Sequence, residues 1–297
     1  MPELPEVETV RRGLADVFEG AVIIKVDQNR PDLRFPFPAD FTSRLEGRAV
    51  TSLGRRSKYL LADIEDNNVL VMHLGMSGSF RIFAPHTENS PGRFAHARSK
   101  DEKHDHVVFH LRTRTGENAQ VVYNDPRRFG FMTLAERPTL ESHPLFEKLG
   151  IEPLGNQLDG SYLSTRFQNK KTPLKAALLD QRIIAGLGNI YVCEALWRTG
   201  LAPARPAGSI AGKQGRATKK TSELAFNIKQ ILIEAIEAGG SSLRDHARTD
   251  GTLGYFQHSF AVYGQENQPC RKAGCDGVIE RIVQSNRSTF YCRSCQK

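Results

Sequence analysis

Four cysteines crowd the C-terminal tail and constrain it more than any other feature. Cys270 and Cys275 have four residues between them, Cys292 and Cys295 have two, and 16 separate the pairs. Each pair brackets a chain reversal that brings two thiolates to one side of an ion. Four thiolates close a tetrahedral shell with no open position, which is the donor set of one structural zinc. A tail of this length has too little apolar content to fold alone, so metal binding supplies its folding energy. Two disulfides are the alternative, and a reducing compartment disfavours them. Cys193 falls in a helical stretch away from this group and reads as a small buried apolar residue.

The tail is not strongly charged. From Gly264 onward six Lys or Arg and three acids give +3, and four thiolates with one zinc ion bring this to +1. Contact with a polyanion therefore rests on placed side chains. Arg287 is the best candidate, in a polar turn at 285–289, although a hairpin tip is also an ordinary place for a solvated arginine. The whole chain is more basic: 297 residues carry a net charge of +8 and a pI near 9.3. That balance suits nucleic acid as a partner. No apolar run approaches the roughly 20 residues that cross a bilayer. The opening Pro-Glu-Leu-Pro-Glu is also the opposite of a basic, then apolar, leader. A cytoplasmic chain with no membrane partner is expected.

Hydrophobic periodicity divides the chain into β, helical and metal-binding parts. Val7, Val10, Leu14, Val17 and Phe18 recur at helical spacing and Gly20 stops them. Short β-type runs follow at 21–26, 58–63, 69–73, 79–83, 107–111 and 120–123, which suggests a sandwich or barrel. Residues 85–103 are polar and read as a long loop. Helical patterning begins near 155. Thr172 caps a helix with Pro173 in its first turn, and a glycine turn at 185–189 leads into a second helix over 190–199, closed by Gly200. A long helix carries Leu224, Ile228, Ile231, Leu232, Ala235 and Ile236, and residues 241–255 read as a flexible loop.

The N-terminus has two readings. If Met1 is removed, Pro2 becomes a free secondary amine, partly uncharged near neutral pH and nucleophilic. Its attack on a carbonyl carbon yields an iminium ion, an electron sink for later bond breaking. Glu3 and Glu6 lie close enough in sequence to move protons. The plain alternative is a helix start, where proline suits the first turn and acids suit its positive end.

Taken together, MPELPEVE at 1–8, GRRSKYLL at 54–61, HLGMSGS at 73–79, KHDHV at 103–107, DPRRFG at 125–130, GLGNIY at 186–191, GYF at 254–256 and STFYCRSCQK at 288–297 resemble the formamidopyrimidine-DNA glycosylase family. These are bacterial bifunctional enzymes that remove oxidised purines from DNA. The resemblance spans almost the whole chain in register. It implies an α+β fold with an N-terminal helix and β-sandwich domain over 1–150. A helical domain with a helix–two-turn–helix element covers 151–263, and a β-hairpin zinc finger covers 264–297.

The resemblance also implies roles. Pro2 matches the nucleophile that attacks C1′ of the damaged nucleotide, and Glu3 the catalytic acid. Lys58 matches a lysine that contacts DNA near the lesion and aids elimination; without its neighbours it reads as a surface strand lysine. Arg287 matches the finger arginine that binds phosphates and assists the second elimination. Glu6 supports the helix start, or is simply an exposed acid. Asn189, Lys170 and His104 match phosphate contacts. Met76, Arg127 and Phe129 match the trio that fills the gap left by the extruded base. His104 and His106 share one strand face as a weak metal pair at most, and the lack of a third ligand nearby argues against a metal there.

The partner implied is duplex DNA containing oxidised bases, bound by a monomer. Residues 85–103, with Arg93, Arg98 and Lys100, are longer than in familiar members, and the lesion-side loop at 241–255 has its own sequence. Two rivals remain. An endonuclease VIII-type glycosylase prefers oxidised pyrimidines, and Leu4 together with the Met76, Arg127 and Phe129 set argues against it. A zinc-containing DNA-binding protein without activity is the other, and the presence of Pro2, Glu3, Lys58 and Arg287 argues against that.

Overall fold

The computed structural model describes residues 2–84, 101–241 and 256–297. Met1, most of the expected 85–103 loop and all of the 241–255 loop beyond Ser241 lie outside the described residues. The chain divides into two compact units, Met1–Glu147 with Ala238–Gln257, and Lys148–Glu237 with His258–Lys297. The segments 151–263 and 264–297 thus fall in the second unit, apart from 238–257, which belongs to the first.

In the first unit, helix α1 (Leu4–Phe18) buries Val7, Val10, Leu14, Val17 and Phe18, as their spacing predicts. Eight strands follow: β1 (Val22–Gln28), β2 (Val50–Arg56), β3 (Tyr59–Ile64), β4 (Asn68–His73), β5 (Ser79–Phe83), β6 (Asp105–Arg112), β7 (Asn118–Asn124) and β8 (Phe131–Glu136). They form two antiparallel sheets, ordered β1-β6-β7-β5 and β2-β3-β4-β8. Alternate residues of both sheets enter one core: Ile23, Val26, Phe80, Phe109 and Val121 from the first, and Leu53, Leu60, Ala62, Leu70, Met72 and Leu134 from the second. The side chains of α1 join that core. A sandwich with a helix on it follows from burying all three apolar faces together.

The second unit contains α2 (Gly160–Phe167), α3 (Leu174–Leu179), α4 (Asn189–Thr199), α5 (Lys219–Glu237) and the hairpin β9 (Ile279–Gln284) with β10 (Arg287–Cys292). Helix α3 starts one residue later than the sequence suggests. Pro173, extended at φ −50° and ψ 138°, occupies the cap position, so Thr172 lies outside the helix. Helix α4 ends as expected at Gly200, whose φ of +71° suits glycine. Arg198 on α4 forms a two-pronged ion pair with Glu234 on α5 at 2.8 and 2.6 Å.

The cysteine-rich tail borrows its core. Cys193, Val262, Cys270, Ile279 and Cys292 form one buried cluster, flanked by Trp197, Tyr263 and Phe290. Cys193 therefore packs against the cysteine group rather than away from it. Cys193 and Trp197 are four residues apart, so one face of α4 presents both to the tail. Beside them Glu194 is 2% exposed and accepts three backbone N–H groups, from Ala261 (3.0 Å), Val262 (3.0 Å) and Tyr263 (2.8 Å). Burial pushes its carboxyl upward, and the three donors oppose that rise. Glu194→Ala should cost at least about 3 kcal/mol in urea unfolding, because three buried donors lose their acceptor. A cost under about 1 kcal/mol would show that the carboxylate does not hold this segment.

Candidate active site

The start of α1 is built around two buried acids. Glu3 is 4% exposed and Glu6 is 5% exposed. Glu3 caps the helix in an extended conformation, and Glu6 Oε2 accepts its backbone N–H at 2.9 Å. The other oxygen, Oε1, accepts the backbone N–H and the hydroxyl of Ser241, each at 2.9 Å. Glu6 is thus a buried clamp and not an exposed acid. Pro2, immediately before the cap, is buried as well.

Lys58 also differs from the surface strand lysine its sequence suggests. It is only 8% exposed and lies in a two-residue turn between β2 and β3, where Ser57 takes φ +55° and Arg56 pairs with Tyr59. Its charge acts on His73. Burial first, then the Lys58 and Arg34 charges, hold that imidazole down to about 4. The ring is therefore neutral near pH 7. Its Nδ1 accepts the Gly75 N–H at 3.0 Å, and its face stacks on Phe131.

Met76 and the pair Arg127 and Phe129 come from two loops that the structure ties together. Met76 is half-buried, while Arg127 and Phe129 are exposed, with the guanidinium 4.9 Å above the ring. Gly75 has φ +61°, and a Cβ there would fall 2.3 Å from the Phe129 carbonyl carbon, so the two backbones touch. The tie itself is Asp125, which is fully buried. Its Oδ1 accepts the Ser77 hydroxyl at 2.5 Å and the Arg127 N–H at 3.2 Å. Its Oδ2 accepts the Gly130 N–H at 2.9 Å and the Tyr123 hydroxyl at 3.3 Å. Sequence reasoning passed over Asp125. An acid inside a motif gives no sign of burial, although one flanked by turn residues is a natural acceptor for loop N–H groups.

The histidines do not form a metal pair. His104 closes a short 3₁₀ turn (Glu102–His104), and β6 begins only after it. His106 is buried, with Nε2 donating to the Asp125 carbonyl at 2.9 Å. Among the described residues, the four cysteines are the one group placed to hold a metal ion, and no histidine joins them.

In the second unit, Asn189 opens α4 and is 9% exposed. Its Nδ2 donates to the Ser288 carbonyl at 2.9 Å, next to Arg287. Gly186, at φ +83°, and the side chain of Gln181 shape the loop before it, with Gln181 bonding Gly186 N–H and the Leu187 carbonyl. Lys170 is half-buried in the turn after α2. Arg287 is exposed and is the first residue of β10, not part of a five-residue turn. The turn is only Ser285 and Asn286, at φ +48° and +59°, the backbone that a two-residue hairpin demands.

Sγ of Cys270 and Cys295 lie 3.8 Å apart, and those of Cys275 and Cys292 3.6 Å apart. All four sulfurs fall within 4.8 Å of one another, and all four cysteines are free thiols. Disulfides are excluded at these distances. A tetrahedral ion with bonds of about 2.3 Å would have sulfur edges of about 3.8 Å, so the four residues fit a metal ion. The Trp197 indole N–H donates to Cys270 Sγ at 3.4 Å.

Two family models match the chain: the formamidopyrimidine-DNA glycosylase N-terminal domain over residues 1–132 and the formamidopyrimidine-DNA glycosylase H2TH domain over 149–247. The chain belongs to the formamidopyrimidine-DNA glycosylase family. It is 61% identical to the formamidopyrimidine-DNA glycosylase of Agrobacterium fabrum, with the whole of each chain covered. Among solved structures it resembles the Lactococcus lactis Fpg bound to DNA containing an abasic site, at TM-score 0.82 and 30% identity over the whole of both chains. The wild-type L. lactis protein bound to DNA containing an oxidised pyrimidine matches at TM-score 0.81 and 30% identity, again over the whole of both chains. In this family setting the Asp125 network lies under the very loops that carry Met76, Arg127 and Phe129. Asp125→Asn should lower unfolding stability by about 2–3 kcal/mol, because an amide N–H₂ replaces an acceptor of buried donors. A loss under about 0.5 kcal/mol in urea titration would contradict the buried-anchor reading.

Proposed function

We infer that this chain is a base-excision-repair DNA glycosylase for oxidised purines, with abasic-site lyase activity on the same polypeptide. The observation that carries the reading is full-length identity of 61% to a formamidopyrimidine-DNA glycosylase, together with a buried, clamped N-terminus at Pro2 and Glu3. DNA in duplex form is the partner, and the chain acts as a monomer in a bacterial cytoplasm. The described residues contain no helix long and apolar enough to cross a membrane.

The chemistry follows from a secondary amine at Pro2. The target nucleotide must leave the stack before C1′ is reachable. Met76, Arg127 and Phe129 are the residues we assign to the gap it leaves, at an unstacking cost of about a few kcal/mol. His104, Lys170 and Asn189 are assigned to backbone phosphates, and the first turn of α4 supplies further N–H donors for an anion. The Pro2 nitrogen bonds to C1′ as the glycosidic bond breaks and the base leaves with a proton. Glu3 is assigned to protonate the ring oxygen, which opens the sugar and leaves an iminium ion. The iminium acidifies C2′, whose proton is lost as the 3′-phosphate departs. Loss of the C4′ proton then expels the 5′-phosphate. Lys58 is assigned to the first elimination and Arg287 to the second, each as a cation for a departing phosphate. Water then frees the five-carbon sugar remnant from Pro2.

The metal ion is assigned as one zinc, held by Cys270, Cys275, Cys292 and Cys295. All-thiolate donors favour it, and a closed shell gives it a structural role only.

A second reading, preference for oxidised pyrimidines, is favoured by the L. lactis complex with such DNA. Cleavage rates on duplexes containing 8-oxoguanine or thymine glycol separate the two. The purine reading expects 8-oxoguanine to be cut at least about tenfold faster, a difference of about 1.4 kcal/mol in transition-state binding. Faster cleavage of thymine glycol would overturn it, and no cleavage of either duplex would remove the enzyme reading.

A further inference from the structure

Lys175 is one of the most deeply buried charged residues, at 1% exposure on α3. Its Nζ donates to the Ser288 carbonyl at 3.0 Å and to Thr289 Oγ1 at 2.6 Å. Thr289 is itself fully buried. The same Ser288 carbonyl receives Asn189 Nδ2 at 2.9 Å. One acceptor is therefore held by two donors from different helices, one residue along the strand from Arg287.

The hairpin has a second anchor at its opposite end. There Cys292 joins the cysteine group, its N–H donates to Gln296 Oε1 at 2.8 Å, and Gln296 Nε2 reaches the Leu201 carbonyl at 2.9 Å. From Ser288 to Cys292 is four strand residues, about 13 Å at strand rise. A lever of that length, fixed only at the metal end, converts a tilt of about 5° into a displacement of about 1 Å at the tip, and such misplacement costs catalysis heavily. Arg287 is the first residue of β10, directly after the tight turn at Ser285 and Asn286, so whatever places β10 places Arg287.

Burying an ammonium is costly, and replacement of a buried charge by an apolar chain of similar volume is often neutral or stabilising. Stability alone does not call for a lysine here. We propose that Lys175 is a positioning residue that, together with Asn189, fixes the Ser288 carbonyl and so sets where Arg287 acts in the second elimination. This rests on the assignment of Arg287 to that step under the function proposed above. Loss of the C4′ proton and departure of the 5′-phosphate should then depend on Lys175, whereas the first elimination should not.

The test uses the full-length, metal-loaded protein on a duplex carrying a preformed abasic site, with β- and δ-elimination products resolved on a denaturing gel. Lys175→Met is expected to keep the first elimination within about twofold of the parent protein and to lower the δ-to-β product ratio about tenfold. Lys175→Arg should recover part of that ratio. Arg287→Ala should lower the ratio to a similar extent, and the double variant should fall no further, because both act through one group. An unchanged ratio in Lys175→Met overturns the proposal. So does an equal fall in both steps with a lowered melting temperature, or a double variant whose losses add. Should Lys175→Met not fold, Thr289→Val removes the side-chain acceptor on β10 and is expected to lower the ratio severalfold; an unchanged ratio there is equally fatal. If the parent protein forms no elimination product at all, the underlying enzyme reading fails first, and this proposal with it.

Discussion

The carboxylate of Glu6 anchors the start of the N-terminal helix. One oxygen takes the Glu3 backbone N–H, and the other takes both donors of Ser241, more than two hundred residues away in sequence. These bonds fix the first turn of α1 and bring the chain leaving α5 back onto it. Gly240 meets the clamp at close range; with φ +79°, a Cβ there would come within 3.3 Å of the Glu6 side chain. A terminal amine is ordinarily the most mobile point of a chain. Here the residue that would carry it is buried directly before a capped and clamped helix.

The same device recurs beneath the exposed side chains to which the proposed function assigns DNA contacts. Arg127 and Phe129 project from a loop whose backbone N–H groups end on the buried Asp125 carboxylate. Arg287 projects from a hairpin whose next carbonyl is gripped by Lys175 and Asn189. The chain entering that hairpin is hung from Glu194 by three N–H groups. Each anchor is a buried polar group with several partners, which is the condition under which such groups order a structure rather than weaken it. Exposed cations alone could bind a polyanion loosely. Placing them to within an ångström takes these buried supports.

What could be read in the sequence, and what could not, divides along the same line. The apolar spacing of α1 and of β4 and β5 was plain because burial selects it directly. Strand β2 carries Thr51, Ser52, Gly54, Arg55 and Arg56, and only its pairing with β3 makes it a strand. The hairpin turn is not legible, because Ser285 through Thr289 are uniformly polar while the deciding fact is positive φ at just two of them. Asp125, Lys175 and Glu194 were invisible as anchors. A charged residue in a sequence looks solvated until the fold supplies its partners. Lys58 is legible only through its neighbouring motif, and its burial is not legible at all. The cysteine quartet was legible, since its spacing carries the geometry, but the packing of Cys193 against it depends on which face α4 turns inward.

In the proposed chemistry a clamped Pro2, freed of Met1, is the nucleophile. This role is tested most directly by reducing the reaction on an 8-oxoguanine duplex with borohydride and mapping the product by mass spectrometry. One covalent protein–DNA adduct is expected, located on the Pro2 nitrogen of a chain lacking Met1. An adduct on Lys58 or another lysine, or efficient strand cleavage by a chain that retains Met1, would contradict it.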